Sequence, residues 1–374
     1  MIQIQEVITK KDLRKFVEFP IGLYKGCPYY VPPIGSDEMD TFTKEKNPAY
    51  EFCETRLFLA IRDGIIVGRV AGLINHAYIK KLGKQIMRFT RFDVIDDLDV
   101  SKALLDQVKQ WAKERKMDDL IGPIGFTDID KQGMLVEGFE EMNLSITIYN
   151  YEYYNRHLEA LGFAKDVDWV EYQVTIPKEI DPRIEKLANI VEKRYGFHRI
   201  PIKKRSDLGP YATMAFDVIN EAFAKLYGTV PLTKAIIDKS VKEYVPLVNL
   251  KYVFVIANKK EEVIGFGLCL PSIAQALKKS NGHLLPFGIF RMLRALKKSK
   301  ILEMYFIAVK PEYQNMGVNA VIIAEAVKAG IKNGIQFAET GPELEDNIQV
   351  QDQWKSFDAR QHRRRRCYIH HINQ

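Results

Sequence analysis

A repeated order of predicted elements most strongly constrains how this chain can fold. The first half contains a strand "IQIQEVI", a helical stretch over residues 11–24, and two apolar runs joined at Asp63-Gly64 like a hairpin. A further strand, "MRFTRFDVI", and an amphipathic helix follow. From about residue 195 the same order returns, ending in "ILEMYFIAV" and a helix over residues 320–332. Such a repeat indicates duplication of one module.

Corresponding positions in the two halves support this duplication. They are Gly68 with Gly265, Val94 with Val309, and Gly122-Pro123 with Gly341-Pro342. We predict an α/β fold in layers, with two tandem modules that each contain a mixed, mostly antiparallel sheet flanked by helices. The modules would span residues 1–176 and 195–374. The charged, helix-like residues 177–194 would connect them.

Composition narrows the class of protein. The chain has 374 residues, of which 47% are hydrophobic and 28% charged, as in ordinary globular domains. No apolar run approaches the ~18 residues that span a bilayer, and the N-terminus lacks a signal-peptide pattern, so we expect a cytoplasmic protein without integral membrane association. The four cysteines lie far apart, which predicts neither disulfides nor a metal site. The net charge of +7 suits anionic ligands without requiring nucleic acid.

A strand-turn-helix segment carries the strongest functional signal. Val309 to Tyr313 leads into Gln314-Asn315-Met316-Gly317-Val318-Asn319, and no acidic residue occupies the first turns of the helix that follows. A pyrophosphate needs successive backbone N–H groups, a residue without a Cβ atom, and the positive end of a helix dipole. The segment therefore predicts an anion site.

This segment resembles the pyrophosphate loop of the GNAT superfamily of N-acetyltransferases, with Asn319 where the superfamily usually has glycine or alanine. The resemblance implies that the second module binds acetyl-CoA as co-substrate, with no metal. It also implies these cofactor-binding residues: Ile307, Ala308, Val309, Gln314, Asn315, Met316, Gly317, Val318, Asn319, Ala320 and Asn347. A simple turn or helix cap is the alternative role for Asn347.

The whole chain also resembles a group of bacterial tandem GNAT-like proteins, which brings no substrate with it. The similarity includes "LYKGCPYYVPP", "NPAYEFCETRLFLA" and "GFTDIDKQGMLVEGF". At the equivalent loop of the first module, Asp96, Asp97 and Asp99 replace the glycine-containing turn. Acidic side chains satisfy a helix N-terminus and repel phosphate, so we expect only the second module to bind coenzyme A.

The resemblance implies direct attack of an amine on the thioester, which needs a base and an acid. Glu339 and Glu303 are the candidate bases, with salt bridging or capping as the alternative for each. The helix "QVQDQWKSFDAR" lacks the tyrosine that usually serves as the acid, so Tyr368 or a bound water would replace it.

A long polar loop in the first half, "GFTDIDKQGMLVEGFEE", is a candidate acceptor site. We expect Asp128, Asp130 and Glu137 to contact the acceptor in the cleft between the modules. An Ω-loop packed on its own apolar residues is the alternative. The spacing of the two aspartates lacks the rest of a calcium loop, so we predict no metal there.

Two basic segments need explanation. Residues 277–300 contain lysines, arginines and apolar residues at helical spacing, which favours a helix packed on its own domain and leaves an anionic membrane or partner as the alternative. The side chains of the run Arg363–Arg366 point alternately to the two faces of a predicted strand, so only some of them can face one groove. This favours salt bridges or contacts to coenzyme phosphates over binding of nucleic acid.

We therefore predict an N-acyltransferase that moves an acetyl or other acyl group from coenzyme A to a small-molecule or peptide amine. Two alternatives are a non-catalytic acyl-CoA-binding or regulatory protein and an aminoacyl-tRNA-dependent peptide-type transferase. The sequence carries no signal for an oligomeric state.

Overall fold

A computed structural model describes residues 1–372, which contain fourteen strands and twelve α-helices. The strands are β1 (Ile2–Glu6), β2 (Cys53–Arg62), β3 (Ile65–Asn75), β4 (Ile86–Val94), β5 (Asp119–Gly122), β6 (Met134–Glu137), β7 (Ala164–Thr175), β8 (His198–Arg199), β9 (Val253–Ala257), β10 (Val263–Pro271), β11 (Ile301–Val309), β12 (Phe337–Thr340), β13 (Glu343–Leu344) and β14 (Ala359–His371). The helices are α1 (Lys10–Leu23), α2 (Gly35–Thr41), α3 (His76–Leu82), α4 (Leu98–Glu114), α5 (Tyr153–Ala160), α6 (Pro182–Tyr195), α7 (Arg205–Ala222), α8 (Lys234–Tyr244), α9 (Ala274–Lys279), α10 (Gly288–Lys298), α11 (Val318–Lys332) and α12 (Ile348–Gln351).

All strands belong to one sheet. Its main order is β1-β2-β3-β4-β5-β14-β7-β12-β11-β10-β9-β8, with β13 paired to β7 and β6 paired to β14. Only β4/β5 and β11/β12 are parallel among the described strand pairs. The predicted mixed, mostly antiparallel α/β fold is confirmed. In residues 1–372, no helix has the length and apolar character needed to cross a membrane.

The predicted correspondence between the halves holds at the level of strand register. Gly68 on β3 lies opposite Val94 on β4, and Gly265 on β10 lies opposite Val309 on β11. Each glycine permits close packing of the helix that follows: a Cβ atom at Gly265 would lie 2.7 Å from Val318 of α11. The repeat is therefore one of packing as well as element order.

The last strands of the two halves are exchanged. β7, which ends the first half, pairs with β12 of the second half, and β14, which ends the chain, pairs with β5 of the first half. β7 and β14 also pair with each other along most of their length. This crossing joins the two sheets, while the boundaries at residues 176 and 195 stay predictions.

Buried ion pairs hold the exchanged strands together. Arg363 and Arg365 of β14 both donate to Glu171 of β7, and all three side chains are buried. Arg364 and Arg366 bond Asp168, which lies three residues before Glu171 on β7. The interpretation of this arginine run as a salt-bridged strand is confirmed. Burial alone would raise the pKa of Glu171, but the two guanidinium groups outweigh it and hold the pKa below its usual value.

We predict that Glu171→Ala lowers the free energy of unfolding by about 3–5 kcal/mol, because it leaves Arg365 buried without a carboxylate and Arg363 with Glu339 as its remaining partner. The measurement is equilibrium unfolding in urea. Glu114→Ala is the control, since Glu114 is half exposed and its nitrogen–oxygen distance to Arg56 is 3.8 Å; such pairs contribute at most about 1 kcal/mol. Equal destabilisation by both changes would contradict the role assigned to the buried cluster.

Candidate functional site

The sheet splits where β11 and β12 stop pairing. Their parallel ladder ends at Met304 and Thr340, and the Gly341 N–H then donates to the Met304 carbonyl oxygen at 3.2 Å. β11 continues to Val309 without that neighbour. The freed residues Tyr305, Phe306 and Ile307 are half-buried and line a cavity of about 570 Å³.

The turn before α11 presents a free helix N-terminus to this region. Asn315 and Gly317 have positive φ angles of 62° and 84°. The Val321 N–H makes a bond of 3.3 Å to the Gly317 carbonyl oxygen. The amides before Val321 thus have no acceptor one helical turn back. The first turn of α11 contains no acidic residue. These features fit an anion.

Glycine at position 317 also has a packing role. A Cβ atom there would lie 2.5 Å from Cγ2 of Val191, because α6 packs against α11. Gly317 is therefore required by its backbone angle and by this close approach, and it does not by itself indicate a phosphate. Gln314 and Asn315 are exposed. The side-chain amide of Gln314 donates to the Val309 carbonyl oxygen at 3.2 Å and so closes the turn.

Asn319 gives a more specific signal than the glycine. Its side chain lines the cavity, and its buried Oδ1 atom has no hydrogen-bond donor among the described residues. A buried amide oxygen without a partner costs about 1–3 kcal/mol. The residue that departs from the superfamily pattern thus offers an acceptor to a molecule in the cavity. Asn347 lines the same cavity and makes no side-chain cap bond.

The equivalent region of the first half is closed. The Tyr154 hydroxyl accepts from the Val94 N–H at 3.0 Å, and the Tyr153 hydroxyl donates to the Val94 carbonyl oxygen at 2.6 Å. Asp97 caps α4 by accepting from the amides of residues 99 and 100, and it also pairs with Arg62. Two tyrosine side chains therefore occupy the Val94 backbone, whereas at the corresponding Val309 the carbonyl oxygen accepts from the Gln314 amide of the following turn.

The structure brings two of the three predicted catalytic residues together and places the third elsewhere. Glu303 and Glu339 are register partners on β11 and β12. Glu339 accepts from Arg363 at 2.9 Å and from Gln173 at 3.3 Å. Tyr368 is fully buried in the core of the first half, where its hydroxyl donates to Asn155. The structure thus does not place Tyr368 with the carboxylates.

Glu303 is connected to the cavity through two hydroxyl groups. Its carboxylate accepts from Ser272 at 2.6 Å and from Ser145 at 2.9 Å, and the Ser145 hydroxyl lies 3.0 Å from the Tyr305 hydroxyl. Ser145 and Tyr305 line the cavity. Burial raises the pKa of Glu303 despite the two donated hydrogen bonds. A carboxylate with a raised pKa holds a proton more strongly than an ordinary glutamate and is therefore a candidate proton acceptor.

The polar loop of the first half reaches the cavity with two of its three predicted residues. Asp128 and Asp130 line it, and Asp130 pairs with Arg91 at 2.8 Å. Burial raises the pKa of Asp128 to about 6. Glu137 instead lies on the surface, where it pairs with Arg364. In residues 1–372, no group of three or more histidine, cysteine, aspartate or glutamate side chains is arranged to hold a metal ion.

Sequence reasoning missed Glu343. This residue lines the cavity just after Gly341-Pro342 and accepts from the Trp354 indole at 2.9 Å. Burial raises the pKa of Glu343 to about 8, although the Trp354 hydrogen bond acts in the opposite direction. Its position directly after the split strand was the available signal.

Much of the cavity lining is apolar and comes from α7 to α10. It includes Leu208, Ala212, Ala215, Ile219, Ile236, Val241, Leu277, Met292 and Leu296. Because both halves line the cavity, the predicted cleft between modules exists. Its composition favours a molecule with an apolar chain.

Comparison with solved structures shows the fold. A tandem GNAT protein from the clavulanic acid biosynthesis pathway superposes with a TM-score of 0.57 at 10% identity, covering 100% of this chain and 99% of that one. This chain has the GNAT fold. The resemblance inferred from the loop at Gly317 is confirmed at the level of the fold.

Two curated proteins are similar in sequence along most of the chain. Protein YghO of Escherichia coli is 26% identical over 375 residues, covering 98% of this chain and 94% of its own length. The bacterial ceramide synthase of Caulobacter vibrioides is 25% identical over 300 residues, covering 79% and 77%. No family model matches the chain.

We predict that Asn319→Asp weakens coenzyme A binding about tenfold or more, because it introduces a negative charge beside the free amides of α11 with almost no change in shape. The measurement is isothermal titration calorimetry. Asn249→Asp is the matched control: Asn249 caps a short 3₁₀ helix outside the cavity, and aspartate preserves that cap. Unchanged affinity in Asn319→Asp would contradict the anion site.

Proposed function

We propose that this protein is an N-acyltransferase that moves an acyl group from acyl-CoA to an amine, with coenzyme A held by the second half. The observation that carries the proposal is the split between β11 and β12, which opens beside the free N-terminus of α11 and into the cavity. The coenzyme phosphates would bind the amides at residues 318–320. The backbone of residues 306–309 would then hold the pantetheine arm and the thioester.

The apolar cavity supports a substrate with a long hydrocarbon chain. An acetyl group would occupy only a small part of a cavity of about 570 Å³. One relative is named a ceramide synthase, and a ceramide is the amide of a fatty acid and a long-chain amino alcohol. We therefore propose that the acyl chain, the amine or both are long and apolar. Asp128 and Asp130 would attract the ammonium group of the acceptor.

In this proposal Glu303 is the base. It would take the proton of the attacking amine through Ser145 or Tyr305, whose hydroxyl groups link the cavity to its carboxylate. Glu339 would keep Arg363 neutralised, and its own candidacy as the base stays a prediction. A water molecule would return a proton to the leaving thiolate, since Tyr368 lies in the other core.

The activity test is release of free coenzyme A from acyl-CoAs of increasing chain length, in the presence of a long-chain amino alcohol. We expect turnover to require both substrates and to rise with acyl length, because longer chains bury more apolar surface. Binding of coenzyme A without turnover for any amine would support the non-catalytic alternative. A preference for acetyl-CoA over longer acyl-CoAs, together with a preference for short polar amines over the long-chain amino alcohol, would contradict the long-chain proposal.

We predict that Glu303→Gln lowers kcat about 100-fold or more and leaves coenzyme A affinity unchanged, because it removes only the proton acceptor. The base must be ionised, so kcat should rise with pH through the raised pKa of Glu303, and this rise should disappear in the variant. The measurement is a pH profile of steady-state turnover. Exposed Glu312 provides the control Glu312→Gln.

A full loss of activity in Glu343→Gln, with normal activity in Glu303→Gln, would contradict this assignment. The base would then be the carboxylate that lines the cavity directly.

A further inference from the structure

The segment from residue 274 to 300 presents a second apolar face that the core of the protein does not use. Leu285, Phe287, Phe290 and Leu293 are 81%, 67%, 68% and 43% exposed. Of the 20 phenylalanines in the chain, Phe287 and Phe290 are the two that are strongly exposed in residues 1–372. We call these four residues and the basic residues around them the α10 surface.

The opposite face of α10 explains how the helix is held. Gly288, Met292 and Leu296 recur every four residues and are buried. Met292 and Leu296 also line the cavity. The sequence-based expectation that this helix packs on its own domain is thus correct for one face only. The exposed face is available for another binding partner.

The charge of the α10 surface has a single sign. Residues 274–300 contain no aspartate or glutamate and seven basic residues: Lys278, Lys279, Arg291, Arg294, Lys297, Lys298 and Lys300. Within residues 1–372, none of the seven forms a salt bridge. Seven positive charges without a salt-bridge partner among the described residues are therefore concentrated in this segment.

We propose that the α10 surface binds the face of an anionic phospholipid bilayer. Exposed phenylalanine and leucine side chains enter the boundary between headgroups and acyl chains, and lysine and arginine bind lipid phosphates. A nucleic acid would match the charge but not the four exposed apolar groups. A second copy of the chain would place the same seven positive charges against each other. An anionic bilayer complements both properties.

Membrane binding would bring the cavity wall formed by Met292 and Leu296 next to the lipid. The proposal does not depend on the transferase activity, since it rests on the exposed face and its charge. Its test is independent of any substrate for the same reason.

The experiment is flotation of the full chain with vesicles of phosphatidylcholine alone or of equal parts phosphatidylcholine and phosphatidylglycerol. We expect binding to the anionic vesicles only, and a smaller bound fraction at higher salt. Phe287→Ser/Phe290→Ser should lower the partition coefficient about tenfold or more, because it removes the two largest inserted groups. Arg294→Gln/Lys297→Gln should weaken binding and reduce its salt dependence.

The matched control is Leu187→Ser/Ile190→Ser on α6, where two apolar side chains are exposed to a similar degree. It should bind vesicles like the unmodified chain. Circular dichroism of each variant establishes that it is folded. Absence of flotation with anionic vesicles, or equal loss in the control, would overturn the proposal. Sedimentation velocity tests the alternative that the α10 surface joins two copies of the chain. If the unmodified chain is a dimer, Phe287→Ser/Phe290→Ser is a monomer and neither binds vesicles, the proposal is also overturned.

Discussion

The paired strands β7 and β14 are the constraint on which the rest of the structure depends. Each comes from one half and extends the sheet of the other, so neither half completes its sheet alone. Glu171 accepts hydrogen bonds from two buried arginines at the centre of this pair. The same cluster continues through Arg363 to Glu339, which borders the split between β11 and β12. The join between the halves therefore also sets the geometry of the candidate site.

The two modules share a backbone arrangement but differ in whether side chains close the site. The register of Gly68 with Val94 matches that of Gly265 with Val309, so the backbone was retained in both. In the first half, two tyrosines bond the Val94 backbone and an aspartate caps α4. In the second half, the β11 residues just before Val309, Tyr305 to Ile307, line a cavity. Side chains thus close one site, while the loop of the first module at Asp128 lines the cavity of the other half.

Much of this organisation could be predicted from the sequence because it depends on local patterns. Apolar periodicity gave the element order, and the Gln314–Gly317 turn gave the position of the helix start. The strand exchange could not be predicted, because β7 has the same alternating pattern whichever strand it pairs with. The position of Tyr368 in the core of the first half could not be predicted for the same reason: its strand pairs with β5. Glu343 and Ser145 reach the cavity only through tertiary contacts, which no spacing along the chain records.

Hydrogen exchange with and without coenzyme A tests the central claim most directly, because it locates the ligand on the backbone. We expect protection at the amides of residues 305–309 and 318–320, and no change at residues 94–101 of the first half. Protection confined to the first half, or no protection in either half at saturating coenzyme A, would contradict the assignment of the coenzyme site to the second half.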